Sequence, residues 1–290
     1  MKKYEFTGET KDFCGVELHR IRALKDFGDV AAGDLGGWIE KEENLSHDGG
    51  CWVSGDAWVS GNAHVSGNAH VYGNAQVYDN AWVFGDARVA GDAWVSGNAR
   101  VYGNAHVYGN AQVYGNAQVS GNAWVFGDAR VFGDARVAGD AWVSGNARVY
   151  GNAHVSGNAQ VYGNAQVSGN AWVFGDARVA GDAWVSGNAR VSGNAQVSGY
   201  ARVAGDAWVA GDAEIKAPKD TFWISAIGSR YGTTTFFRCA DGKVRVTCGC
   251  FYGDLDEFLA KVEKTHGDNK HGRVYKKAVE LAKIQMEEDV

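Results

Sequence analysis

Valine recurs every sixth residue from Val53 to Val209, and Ile215 closes the series. The unit is Val-x-Gly-Asn/Asp-Ala-x, as in VSGNAW, VYGNAH and VFGDAR, and its 28 beats span 163 of the 290 residues. Six residues are too few for a helical solenoid repeat or a propeller blade, and they fit one short flat side of a parallel β-helix. Within each hexad, Ala, the variable residue and Val form a three-residue strand with alternating side chains. Val and Ala then face inward, and the residue between them and the residue after Val face outward. Valine suits a packed sheet face. Gly-Asn or Gly-Asp turns the corner, where positive φ is needed.

Coil length follows from charge. Asp replaces Asn in ten corners, at Asp56, Asp86, Asp92, Asp128, Asp134, Asp140, Asp176, Asp182, Asp206 and Asp212, and no two of these are eighteen residues apart. Equivalent residues on stacked coils lie about 4.8 Å apart, where like charges repel. Three hexads per coil is the arrangement that keeps every Asp off another Asp. The expectation is therefore a triangular prism of about nine three-sided coils, with Val53, Val71, Val89 and Val107 in one column.

Composition divides the chain into three parts: residues 1–50, a hairpin and cap; 51–216, the β-helix; and 217–290, a small α+β domain. The repeats hold no Lys, 8 Arg and 11 Asp, and the net charge of the chain is −6. No part is basic enough to suggest nucleic acid. The start MKKYEFTGET shows neither a signal peptide nor a membrane span. Five cysteines without a secretion signal point to a reducing compartment, hence to the cytoplasm. YEFTG and VELHRIRAL read as strands. Ile39 and Leu45 are six apart and Val53 follows after eight, which predicts a first coil near Trp38 and a two-residue insertion between His47 and Gly50. FWISAI, TTTFFRC and KVRVTCGCF read as three strands, the last two joined by a hairpin at Asp241-Gly242. Asp254 with Glu257 reads as a capping pair, Leu255, Phe258, Leu259 and Val262 as a helical stripe, and a second helix is expected from Arg273 to Glu288. The domain is expected to cap the far end of the prism.

Val at the first position and Ala at the fifth, held through the repeats, resemble the hexapeptide-repeat superfamily, which implies a left-handed β-helix. The N-terminal stretch, with DFGDV, GGWIE, ENLS and GGCWV, resembles uncharacterised bacterial and prophage YdcK-like proteins. Such proteins often carry a transferase label, but the resemblance brings no catalytic residues with it. It makes a hexapeptide-class acyltransferase the first alternative function.

The residues themselves argue against catalysis. His64, His70, His106 and His154 occupy the outward slot that elsewhere holds Trp, Gln or Arg, and no loop interrupts the repeats. Cys239, Cys248 and Cys250 with His266 or His271 lack a paired metal-ligand spacing. They read as buried strand thiols, and Cys14 and Cys51 as structural. No metal and no cofactor are expected. Folded at eighteen residues, the outward slot stacks Trp82 with Arg100, alternates Trp172, Arg190 and Trp208, and places Trp184 beside Arg202. These seven residues form the expected binding face, held by cation–π attraction of about 0.5–1 kcal/mol per exposed pair. Near-identical surface units suit a scaffold or multivalent binder better than an enzyme. The function expected is a non-enzymatic scaffold or binding protein, consistent with prophage origin. Its partner would be a second copy of the chain, another protein, or a small anionic or aromatic ligand. A further alternative is a phage-type sponge that sequesters a small nucleotide signal.

Overall fold

The computed structural model describes residues 2–286, and the chain falls into two compact units, Met1–Gly157 and Asn158–Val290. A solenoid in which each rung touches only its neighbours has no built-in domain boundary, and the division falls within the repeats.

Met1–Gly157 opens with an antiparallel hairpin, Tyr4–Phe13 against Val16–Ala23, and Leu35–Ile39 pairs with its second strand. Both hairpin-loop residues, Cys14 (φ 54°) and Gly15 (φ 85°), have positive φ, as a two-residue type I′ turn requires. Two-residue rungs then run from Trp52–Val53 to His154–Val155. From Trp52–Val53 to Arg136–Val137 each pairs in parallel with the rung eighteen residues on. Val53 pairs with Val71, Val71 with Val89, Val89 with Val107, Val107 with Val125 and Val125 with Val143. Three hexads therefore make one coil. The coils join through backbone bonds such as Ser54 N to Val71 O (2.9 Å) and Trp58 N to Ala75 O (3.0 Å). The repeat valines are fully buried, and so are the alanines at the fifth position of each hexad from Ala69 to Ala207.

The first coil uses the cap. Trp38 pairs with Trp58, Ile39 with Val59 and Leu45 with Val65, each offset by twenty residues instead of eighteen. Two extra residues lie between Leu45 and Trp52, where the spacing predicted them. Counting this coil, the solenoid has about ten turns, one more than the hexads alone imply. Its open edge is closed by polar side chains. Buried Asn44 donates to Gly61 O (3.1 Å) and Ala63 O (2.8 Å). Lys3, also fully buried, donates to Cys51 O (2.8 Å) and lies over the Phe27 ring. Unpaired strand edges recruit other strands, and these contacts fill them.

Asn158–Val290 begins with two-residue rungs from Gln160–Val161 to Glu214–Ile215. A four-stranded antiparallel sheet follows, of Thr221–Ile227, Gly232–Arg238, Val244–Cys248 and Phe251–Asp254. The sequence suggested three strands. The stretch KVRVTCGCF is broken at Gly249, whose φ of 60° turns the chain. Helix α1 (Leu255–His266) starts on the expected capping box, with Glu257 N donating to Asp254 Oδ1 (2.8 Å) and Asp254 N to Glu257 Oε2 (2.9 Å). Helix α2 (Lys270–Gln285) begins three residues earlier than expected because Asn269 caps it, accepting from His271 N and Gly272 N. The expected end at Glu288 lies outside the described residues. Phe236, Val246, Phe258, Val262, Tyr275 and Val279 form the core between sheet and helices. The sheet also caps the last rungs. Trp208 N donates to Thr235 Oγ1 (3.0 Å), and Thr247 Oγ1 donates to Trp208 O (2.5 Å). Among the described residues no helix is long and apolar enough to cross a membrane.

Candidate functional site

The outward ladders are a consequence of the eighteen-residue register. In Met1–Gly157, Trp82 is paired with His64 on one side and Arg100 on the other. Its ring contact is to His64, with centroids 5.9 Å apart. In Asn158–Val290, Arg190 is paired with both Trp172 and Trp208, and its guanidinium lies 5.9 Å from the centre of the Trp172 ring. On another face Arg202 is paired with Trp184 and stands over its ring at 5.6 Å. The structure thus brings Trp172, Arg190 and Trp208 into one column and Trp184 and Arg202 into a second. Trp82 and Arg100 belong to the other unit.

Two indoles are held in place by residues that sequence reasoning missed. Trp184 Nε1 donates to Ser168 Oγ (3.1 Å) and Trp208 Nε1 to Ser192 Oγ (3.0 Å). The signal was available: a serine after Val, sixteen residues before each Trp. Trp82, Trp94, Trp142, Trp172 and Trp184 still leave between 38% and 49% of their surface in solvent. Trp208 differs in being half-buried, and its backbone N–H and C=O meet Thr235 and Thr247. A groove of about 420 Å³ opens beside it, walled by Arg190, Asp206 and Tyr231 among others.

The residue after Val makes a parallel set of stacks. Phe84 and Tyr102, Tyr108 and Phe126, and Tyr114, Phe132 and Tyr150 stack at 4.9–5.1 Å with planes within 2°. Beside the last stack, exposed Arg130 and Arg148 are direct neighbours in register. Neither forms an ion pair with a carboxylate among the described residues.

The corners carry a second ladder. Nine of the ten corner Asp residues accept from the Asn eighteen residues before them, as Asp128 does from Asn110 (2.8 Å) and Asp206 from Asn188 (2.8 Å). A carboxylate accepts but has no proton to pass on, so each Asp ends a run of amides. Asp56 is the exception, because the twenty-residue offset of the first coil sets Gly36, which has no side-chain amide, before it.

The histidines are engaged with their surroundings. His64 Nδ1 is 2.7 Å from Glu43 O, and His106 Nδ1 is 2.7 Å from Asn104 O. His106 also stacks on Trp124 at 4.6 Å. Burial holds His70 and His154 below the usual histidine range, aided by Arg88 and Arg136 respectively. The cysteines scatter. Cys51 and Cys239 are buried, and burial raises both thiols, that of Cys239 to about 11. Cys14 and Cys250 are exposed and Cys248 is half-buried, so the expectation of buried strand thiols holds for Cys239 alone of the three in the C-terminal domain.

Comparison with known proteins agrees with this geometry. The repeat described as "YdcK Beta solenoid repeat" matches residues 75–91, 93–109, 111–127, 117–131, 129–145, 141–157, 159–173 and 183–199. An Escherichia coli (strain K12) protein named "Uncharacterized acetyltransferase YdcK" is 39% identical over 61 residues, 18% of this chain. The match covers 19% of that protein's length. Over the matched residues the coils are similar to the YdcK β-solenoid repeat.

Proposed function

We propose that this chain is a cytoplasmic, non-enzymatic binding scaffold whose outward aromatic and arginine ladders meet a partner, with a second copy of the chain as the first candidate. The observation that carries this reading is the pair of Trp–Arg columns in Asn158–Val290. Trp172 and Trp184 remain exposed, and Ser168 fixes the Trp184 indole while Ser192 fixes that of half-buried Trp208. Exposed Trp, Tyr and Arg are the residues enriched at interfaces, and contiguous aromatic area of this kind is unusual on a monomer. Rigid side chains also lose little entropy on association. Sedimentation velocity of the full chain at micromolar concentrations tests it. The wild type should sediment as an oligomer and the Trp172→Ala, Trp184→Ala double variant as a monomer with unchanged circular dichroism. A monomeric wild type would overturn self-association.

The name of the Escherichia coli relative favours a second reading, acyl transfer. Equilibrium dialysis with acetyl-CoA examines it, together with single His→Ala variants at His64, His70, His106 and His154. The scaffold reading expects no saturable binding and no variant effect.

A further inference from the structure

A cavity of about 260 Å³ lies in the C-terminal part of Asn158–Val290, between the sheet and the two helices. Phe251, Phe258 and Val262 give it apolar walls. Arg230, Lys261 and His266 also line it, and no Asp or Glu does. In a chain of net charge −6 this is a local reversal of sign. Neither Arg230 nor Lys261 forms an ion pair with a carboxylate among the described residues, so both cations are available to something else. An apolar chamber with a few convergent polar groups is the usual form of a small-molecule site.

The turn that precedes Gly232–Arg238 borders this chamber through Ser229 and Arg230. Ala226 (φ 60°) and Tyr231 (φ 50°) hold left-handed conformations without being glycine. Ala226 lies at the bulge of the hairpin formed by Thr221–Ile227 and Gly232–Arg238, and Tyr231 in its turn. Gly228, between them, is where a Cβ would fall 1.8 Å from the Tyr275 hydroxyl. A side chain there would displace that hydroxyl. The Cys248 thiol donates to Tyr275 Oη at 3.7 Å, which leaves the phenol hydrogen for another acceptor. Burial pushes the phenol up to about 12, so it remains a donor across the neutral range.

We propose that this cavity binds a small organic acid with an apolar body, its carboxylate facing Arg230 and Lys261 and its apolar part against Phe251, Phe258 and Val262. A carboxylate matches the guanidinium and ammonium donors, and the apolar walls select a ring or short acyl chain over a bare inorganic anion. The site is separate from the Trp–Arg ladders and does not depend on their role.

Alkylation of the full chain by iodoacetamide, read by peptide mass, tests the proposal with 3-phenylpropionate as the probe. Cys250 is exposed and lines the cavity, and Cys14, exposed in the N-terminal hairpin, serves as the internal control. The acid should slow Cys250 alkylation several-fold and leave Cys14 unchanged. The uncharged 3-phenylpropanamide should protect weakly. The Arg230→Gln, Lys261→Gln double variant, altered only at exposed side chains, should lose protection with unchanged circular dichroism. The proposal is overturned if the acid leaves Cys250 unprotected, if the amide protects equally, or if the double variant remains protected.

Discussion

Val125 shows what each inward residue contributes. It is fully buried between Val107 and Val143 in a column of identical side chains. Nothing in that column can pair a charge, so Val125→Asp should cost several kcal/mol. A thermal melt checks this, and an unchanged midpoint would contradict the inward placement of the repeat valines. The corner glycines are constrained differently. Gly103 has φ of 69°, and a Cβ there would sit 3.1 Å from Gly121 N. Gly103→Ala should destabilise by about 1–2 kcal/mol, measured by chemical denaturation. Asp79 is the natural exception, at φ 61° with its carboxylate accepting from Gly97 N at 3.0 Å. Asp is one of the few residues that tolerates this region through local hydrogen bonding.

At the scale of the rung, neighbours eighteen residues apart determine what is allowed. Asn116 donates to Asp134 at 2.9 Å. Asn116→Asp would remove that donor and set two carboxylates about 4.8 Å apart. A loss of about 1 kcal/mol is expected, and added salt should restore part of it. Melts at low and high ionic strength decide; a salt-independent loss would mean that repulsion is not the cause. His70 gives a pH signature. Its folded pKa is lowered by burial first and by Arg88 second, with Lys3 adding and Asp29 opposing. Between that lowered value and the unfolded value of about 6.5 the unfolded chain binds more protons, so stability falls as pH falls through this window. His70→Gln, which fills the slot as Gln76 and Gln112 do, should lose less stability between neutral and mildly acidic pH than the wild type.

At the scale of the molecule, a solenoid is stabilised by nearest-neighbour interfaces and is vulnerable at its ends. Lys3 and Asn44 close the first coil, and Thr235 and Thr247 close the last Trp208 rung. Thr235→Val with Thr247→Val would orphan the Trp208 N–H and C=O. The expected cost is about 1–3 kcal/mol per buried orphan group. Hydrogen exchange at the Trp208 amide should accelerate in that variant, while exchange at Val125 stays as in the wild type. Equal acceleration at both sites would show global loosening rather than an opened end.

How much was legible in the sequence depended on distance along the chain. The coil length, the two extra residues before Trp52, the inward Val and Ala, and the stacking of Trp184 with Arg202 all follow from a period of six and a spacing of eighteen. Each is the same local relation repeated, so a pattern in one dimension contains it. The capping box at Asp254 was legible for the same reason, since its partners lie within one helical turn. The closures were not. Lys3 meets Cys51 across 48 residues, and Trp208 meets Thr235 and Thr247 across 27 and 39. The cavity likewise joins Arg230, Cys248, Lys261 and Tyr275 from four segments. No periodicity relates such positions, and a lysine near an N-terminus ordinarily reads as a solvated charge. Only the packing of the ends decided that Lys3 is buried, that threonines complete a rung, and that basic side chains converge on an apolar chamber.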